Sequence, residues 1–303
     1  SFSSGTIYKS TKYSIHFIVC LITILVGCRN SHLEDDSNFQ DNEDKNLISP
    51  YCSAVLDYYY APGQHAYRAA YPDYLNGDSC VTSILLGGWG GYVVMTFDHD
   101  VKNQDGEDVI VYCGSSVQPE PGVVYFMCDE NGNELPDERW YEVRGSEFEK
   151  SNRKFQMTYY APKDDTSNVT WRDCEGNCGE LPKSSSWWWK EEDDSITFSG
   201  TLLPEAYYNS GDNEKEYWKI KEGLFLFGYA ENGKRSEESA LDYSNELKGN
   251  CFDISDLVDE NGVAVDLCTI RFVKIQTGVF QQAGWLGEIS TEINGMADLS
   301  MLK

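Results

Sequence analysis

Gly87-Gly88-Trp89-Gly90-Gly91-Tyr92-Val93-Val94-Met95-Thr96-Phe97 is the stretch that decides the fold. Its glycines mark a tight turn, and the six residues after them are mostly the β-branched and aromatic types that suit a pleated, half-buried surface. The same unit recurs in both directions. Apolar runs lie at 84–86, 109–112, 123–127, 155–160, 195–198, 224–229 and 268–277, and turn formers occupy 103–106, 131–133, 231–233 and 260–262. Many short strands at regular spacing predict an all-β chain, a single β-sandwich or jelly-roll-like domain with long loops. Helical periodicity is confined to 236–247 and 254–258, so one or two short helices are expected. In the last run, alternation places Ile270, Phe272, Lys274 and Gln276 on one face and Arg271, Val273, Ile275 and Thr277 on the other.

The start of the chain has a different character. Lys9 and Lys12 precede an apolar run at 15–26, which ends in Leu25-Val26-Gly27-Cys28. A charged start followed by about a dozen apolar residues reads as a secretory signal, and it is shorter than the roughly 20 residues a membrane span needs. LVGC resembles the bacterial lipobox, in which the cysteine is acylated, so Cys28 is the expected anchor to outer-membrane lipid. After it, Glu34, Asp35, Asp36, Asp41, Glu43 and Asp44 crowd a stretch rich in Ser and Asn, the composition of a flexible tether. An acidic patch at this place resembles the signal by which Bacteroidetes send lipoproteins to the cell surface. The expected organisation is a signal peptide over 1–27, a tether over 28–49 and a ligand-binding β-sandwich over 50–303.

Cleavage before Cys28 removes two lysines and no acid, taking the formal net charge from −26 to −28. Such a surface repels nucleic acid and anionic lipid, and no basic stripe or nucleic-acid motif offsets it. The mature chain keeps Cys52, Cys80, Cys113, Cys128, Cys174, Cys178, Cys251 and Cys268 beyond the anchor. An even count in an exported chain predicts disulfides, although eight cysteines permit on the order of a hundred pairings. Cys113 and Cys128 each end a strand-like run and are expected as cross-strand neighbours. Cys251 and Cys268 bracket a hairpin-like segment, and Cys174 and Cys178 enclose a tight Glu-Gly-Asn loop. A zinc site at the last two lacks a second Cys or His pair at suitable spacing.

Five strings together resemble a family of Bacteroidales "cell surface protein" lipoproteins: LGGWGGYVVMTFDH (86–99), EPGVVYFMCDENGNELPDERWYEVRGSEF (120–148), MTYYAP (157–162), TFSGTLL (197–203) and FVKIQTGV…GWLGEISTEINGMADL (272–299). The resemblance covers almost the whole folded part. It implies a β-rich, non-catalytic protein working beside an outer-membrane uptake system, with a TonB-dependent transporter as partner and a corrinoid or a glycan as ligand. A structural subunit of a transporter complex is the other role it leaves open. The cysteine content departs from the family pattern.

Two groups of residues carry candidate chemistry. Asp129, Asn131, Asn133 and Asp137 place side-chain oxygens in the spacing of a calcium loop, and calcium takes six to eight hard oxygens. The sixth position is Glu134 rather than Gly and the twelfth is Trp140 rather than Glu, so Glu138 or Glu142 must supply the missing carboxylate. A polar hairpin turn at Asn131-Gly132 explains the same residues without a metal. Aromatics form the second group. Trp187, Trp188 and Trp189 are consecutive, so alternate indoles of an extended segment face opposite ways and at least one is expected at the surface, where a sugar ring or flat macrocycle stacks. Tyr207 and Trp218, with Tyr208 and Tyr58 to Tyr60, enlarge that pool.

Catalytic motifs are thin. His65 and His99 are the histidines beyond the signal and tether, and no GxSxG, HExxH or phosphate-cradling loop occurs. His99 is expected to end a strand and satisfy a backbone group. Paired carboxylates of a hydrolase accessory to polysaccharide use are the enzymatic alternative, because acids are abundant.

Overall fold

The structure, a computed structural model, describes residues 48–302 apart from 64–74, 76, 78–82, 114–117, 184–188, 190–192, 213–214, 234–242 and 245–248. In chain order its strands are β1 (Ala54–Tyr59), β2 (Ile84–Leu85), β3 (Tyr92–Lys102), β4 (Val109–Cys113), β5 (Gly122–Met127), β6 (Tyr141–Val143), β7 (Asn152–Tyr160), β8 (Val169–Asp173), β9 (Cys178–Leu181), β10 (Ser195–Leu202), β11 (Tyr207–Asn209), β12 (Trp218–Ile220), β13 (Tyr229–Ala230), β14 (Tyr243–Ser244), β15 (Gly249–Phe252), β16 (Leu257–Val258), β17 (Thr269–Thr277) and β18 (Glu292–Asp298).

Two antiparallel sheets form the sandwich. One runs β1-β3-β17-β5-β6-β16, with β13 also on β5, and the other runs β14-β15-β4-β18-β2. Period-2 alternation decides what lies between them. Val93 and Met95 of β3, Val124 and Phe126 of β5 and Val273 and Ile275 of β17 meet Val109 and Val111 of β4, Phe252 of β15 and Ile293 and Met296 of β18 in one buried core. The all-β sandwich expected from the sequence is what the chain adopts.

The sandwich carries additions. A four-stranded sheet, β10-β7-β8-β9, and the hairpin β11-β12 are separate from its two sheets. The four-stranded sheet closes on Trp89, whose indole meets Phe155 edge-on at 4.9 Å. Trp89 Nε1 donates to Thr201 O (3.2 Å), and Trp89 O accepts from Tyr159 Oη (2.9 Å). Trp89 can reach inward because the turn around it is bare. A Cβ at Gly91 would strike the Leu86 carbonyl, and Gly90 has φ +96°.

Several local expectations are corrected. Only Tyr229 of the 224–229 run enters a strand, because Phe225 (φ 55°) and Gly228 (φ 78°) turn left-handed and break the extended path. Residues 254–258 form a 3₁₀ turn, Ile254–Asp256, and then β16; the turn is capped by Asp253, whose carboxylate accepts from Ser255 N. Most of the 236–247 segment lies outside the described residues. Between Ile270 and Phe272 the register of β17 against β3 jumps from Val101 to Thr96, so the extra residues, Phe97 to Asp100, lie on β3, and Ile270 packs in the core with Val273 and Ile275. Arg271 instead pairs with Glu134 (3.1 Å) and Asp100 (3.5 Å).

The predicted bridges Cys113–Cys128 and Cys251–Cys268 are not formed. Cys113 ends β4 of the five-stranded sheet and donates to Asn250 Oδ1 (3.2 Å), whereas Cys128 follows β5 of the other sheet, beside Thr269. Cys251 of β15 and Cys268 before β17 are likewise divided between the two sheets. Between Cys174 and Cys178 the turn is closed by Asp173, whose Oδ1 accepts from Glu175 N and Asn177 N, while Cys174 Sγ accepts from Gln156 N. Cys52 is buried in the main core, and Cys80 lies outside the described residues.

Candidate ligand-binding cleft

The β11–β12 hairpin builds the most distinctive surface feature. Pairing places Tyr207 opposite Ile220 and Asn209 opposite Trp218. Alternation turns Tyr207 inward, 4 % exposed, with its hydroxyl donating to Pro119 O (3.2 Å), and leaves Tyr208 outward, 44 % exposed. The Gln281 side chain extends the hairpin edge, accepting from Tyr207 N (3.0 Å) and donating to Tyr207 O (2.8 Å). Trp218 lies against Gly284, where a Cβ would strike the indole, and its Nε1 donates to Glu216 (3.0 Å).

Across a cleft of about 510 Å³ the hairpin faces the last strands of the four-stranded sheet. Trp171 of β8 and Phe280 meet edge-on at 4.9 Å and line it together with Tyr207, Tyr208 and Trp218. Polar groups on the same walls are Asn209, Gln282, Glu180 and Glu205, the last held by Lys221 (3.0 Å). Flat apolar faces with a few convergent amides and carboxylates suit a ligand that offers both C–H surface and hydroxyls.

Of the aromatics expected to bind, the structure brings Tyr207 and Trp218 together here. Trp189 is elsewhere, half-buried on the Trp89 cluster with Nε1 donating to Asp193 O (3.0 Å). Trp187 and Trp188 lie outside the described residues, as does the anchor Cys28. Trp171 and Phe280 were not anticipated. Phe280 directly follows the quoted 272–279 string, and the consecutive amides Gln281 and Gln282 after it were the available signal.

The acidic loop also converges. Asp129 accepts from the backbone N–H of Asn133 (3.1 Å) and of Glu134 (3.1 Å), and Asn131 Oδ1 accepts from Asn133 N (2.9 Å). Asp137 accepts from the amides of Asn131 (3.2 Å) and Asn133 (3.0 Å), and Glu138 accepts from Asn131 N (3.2 Å). Glu134 takes φ 61°, the left-handed conformation that a glycine usually supplies at that position of a calcium loop. Glu142 does not join them; it is buried on β6, accepting from Thr201 Oγ1. Among the described residues no group of three or more His, Cys, Asp or Glu side chains is disposed to hold a metal.

His99 differs from expectation in its partners. It sits between two carboxylates, Asp98 (2.8 Å) and Asp298 (3.1 Å), rather than on a backbone group. No helix among the described residues is long and apolar enough to cross a membrane. Comparison with protein-family models and with curated proteins gives no match.

Proposed function

We propose that this chain is a surface-exposed lipoprotein that binds a neutral glycan in the aromatic cleft for an outer-membrane uptake system, without catalysing a reaction. The observation that carries the reading is the gathering of Trp171, Tyr208, Trp218 and Phe280 on one 510 Å³ cleft beside amides and carboxylates. Sugar rings present apolar faces and hydroxyls that both donate and accept, and this lining meets both. The net charge of −28 after cleavage favours an uncharged ligand over an anionic one. The lipobox-like Cys28, the acidic tether and the resemblance of five strings to surface lipoproteins support the location and the TonB-dependent partner.

The test is binding to a panel of neutral polysaccharides by affinity electrophoresis, with cobalamin as a separate arm. Trp218→Ala should weaken retention at least about tenfold, the loss expected of an aromatic at the centre of a contact. Trp189→Ala should leave it unchanged. Retention by cobalamin alone would reassign the cleft to a corrinoid. Labelled palmitate should mark the wild type and not Cys28→Ser; equal labelling would sink the lipoprotein assignment.

We also propose that calcium structures the 129–138 loop. Support comes from the left-handed Glu134 and the inward turn of Asp129, Asn131, Asn133 and Asp137. Calcium at about 100 times its dissociation constant should raise the melting temperature by about 5–10 °C. Asp129→Ala should abolish that response. A melting temperature indifferent to calcium and to chelator would leave a polar turn.

A further inference from the structure

A second cavity lies on the outer face of the seven-stranded sheet, and its polar groups are not all matched. Alternation on β17 sends Val273 and Ile275 into the core and Lys274 and Gln276 to the opposite face. Ladder pairing sets Glu142 beside Tyr125 and Tyr125 beside Lys274, so a carboxyl, a phenol and an ammonium form a row across β6, β5 and β17 in steps of about 5 Å. Ser199, Gly200 and Thr201 of β10, Arg153 of β7 and Val258, Asp259 and Glu260 complete the walls of a space of about 240 Å³.

Three features distinguish this space from ordinary packing. Gln276 is 1 % exposed and donates its amide to Gly90 O (2.8 Å) and Ser199 O (3.2 Å), yet its Oε1 has no hydrogen-bond partner among the described residues. An orphaned acceptor of this kind is uncommon in a folded interior and needs an explanation. The wall beside it is bare backbone, because a Cβ at Gly200 would collide with that oxygen. Lys274 lies over the rings of Tyr92 (4.8 Å) and Tyr125 (5.5 Å) and makes no ion pair or hydrogen bond among the described residues, so its three donors are unused. Burial lowers the Lys274 pKa. Glu142, 8 % exposed, has its carboxyl pushed up to about 7 by burial, against the opposing pull of Thr201 and Arg153, so near neutrality it both donates and accepts.

We propose that this cavity binds a single uncharged polyhydroxylated ring of pyranose size. Lys274 brings unused donors, Gln276 an unmatched acceptor, and Glu142, one oxygen of which accepts from Thr201 Oγ1, a carboxyl of either kind, and hydroxyls answer all three. Lys274 and Arg153 stand against Asp259 and Glu260, so the lining favours neither sign, and an anion would satisfy Lys274 but press on Glu142 and give Gln276 Oε1 no proton. A cation would answer Gln276 and repel Lys274. The volume equals that of on the order of eight waters, the size of one sugar ring. Trp140 lines the same space and offers a flat face to the ring. The site shares no lining residue with the aromatic cleft and does not depend on the glycan reading of that cleft.

Saturation-transfer NMR on the full chain decides it, with glucose, galactose, mannose and myo-inositol as neutral probes, glucuronate as the anionic one and glucosamine as the cationic one. At least one neutral probe should bind the wild type. Lys274→Met, which keeps the stem and removes the donors, should weaken it at least tenfold, and Lys163→Met, at an exposed residue that lines neither site, should leave it unchanged. Absence of binding by every neutral probe, preference for a charged one, or wild-type affinity in Lys274→Met would overturn the proposal. If Lys274→Met loses its native circular dichroism, Trp140→Ala, which removes the flat face offered to the ring, is read in its place. At least a fivefold loss is then expected, and an unchanged affinity would overturn the proposal equally.

Discussion

Trp89→Ala is expected to lower the unfolding free energy by about 3–5 kcal/mol, the usual cost of emptying a buried aromatic site. Trp89 is 0 % exposed, and its indole is the point at which the four-stranded sheet closes on the turn before β3. Three losses act together. The edge contact with Phe155 disappears, the Thr201 carbonyl loses its Nε1 donor inside the protein, and the remaining cavity has bare glycine backbone on one side. Trp89→Phe keeps most of the apolar volume and should cost markedly less, because it removes chiefly the hydrogen bond. Urea unfolding followed by circular dichroism reads both. A loss below about 1 kcal/mol for the alanine variant would show that the third sheet does not depend on this side chain.

Stability should fall steadily as pH rises from about 5 to 8. Glu120 and Glu231 lie buried side by side where β13, the segment before β5 and the start of β18 meet. Glu231 Oε2 accepts from Glu292 N (2.6 Å), and Glu120 Oε1 accepts from Ser290 N (3.1 Å). Burial, first, and then the neighbouring carboxylates raise both groups, Glu120 to about 8 and Glu231 well above the ordinary carboxyl range. A carboxyl raised on folding holds its proton in the folded chain after the unfolded chain has released it. Its contribution is therefore complete below about pH 4.5 and is lost as pH climbs through the folded value. The expected change is on the order of a few kcal/mol across that window. Glu231→Gln supplies an amide that need not ionise and should flatten the profile. A urea midpoint that instead rises from pH 5 to 8, with no change in Glu231→Gln, would contradict the buried-acid description.

The sandwich was legible because its strands obey a period of two with one apolar face. β3, β5 and β17 alternate Val, Met, Phe and Ile inward, and the glycine turn at 87–91 announces the first of them. The added four-stranded sheet was only half legible. β7 and β10 show alternation, but β8 and β9 read Val-Thr-Trp-Arg-Asp and Cys-Gly-Glu-Leu, sequences whose outward residues face solvent and leave one or two apolar positions each. The irregularity between β3 and β17 was hidden because alternation predicts no extra residues, whereas Phe97 to Asp100 of β3 stand opposite Arg271 alone, with Asp100 and Glu134 pairing its guanidinium. The cleft was legible by residue type and not by place. Tyr207 and Trp218 belong to one hairpin, whereas Trp171 and Phe280 arrive from distant parts of the chain. The tryptophan triplet drew attention to a segment whose one described member, Trp189, packs on the fold.

Isothermal titration of the wild type and Trp218→Ala with the neutral oligosaccharide retained best in electrophoresis tests the cleft most directly. The expected result is saturable one-site binding by the wild type and at least a tenfold loss in the variant, with an unchanged melting temperature showing that the fold survives. Equal affinity in the two proteins, or binding of cobalamin with no oligosaccharide bound at millimolar concentration, would contradict it.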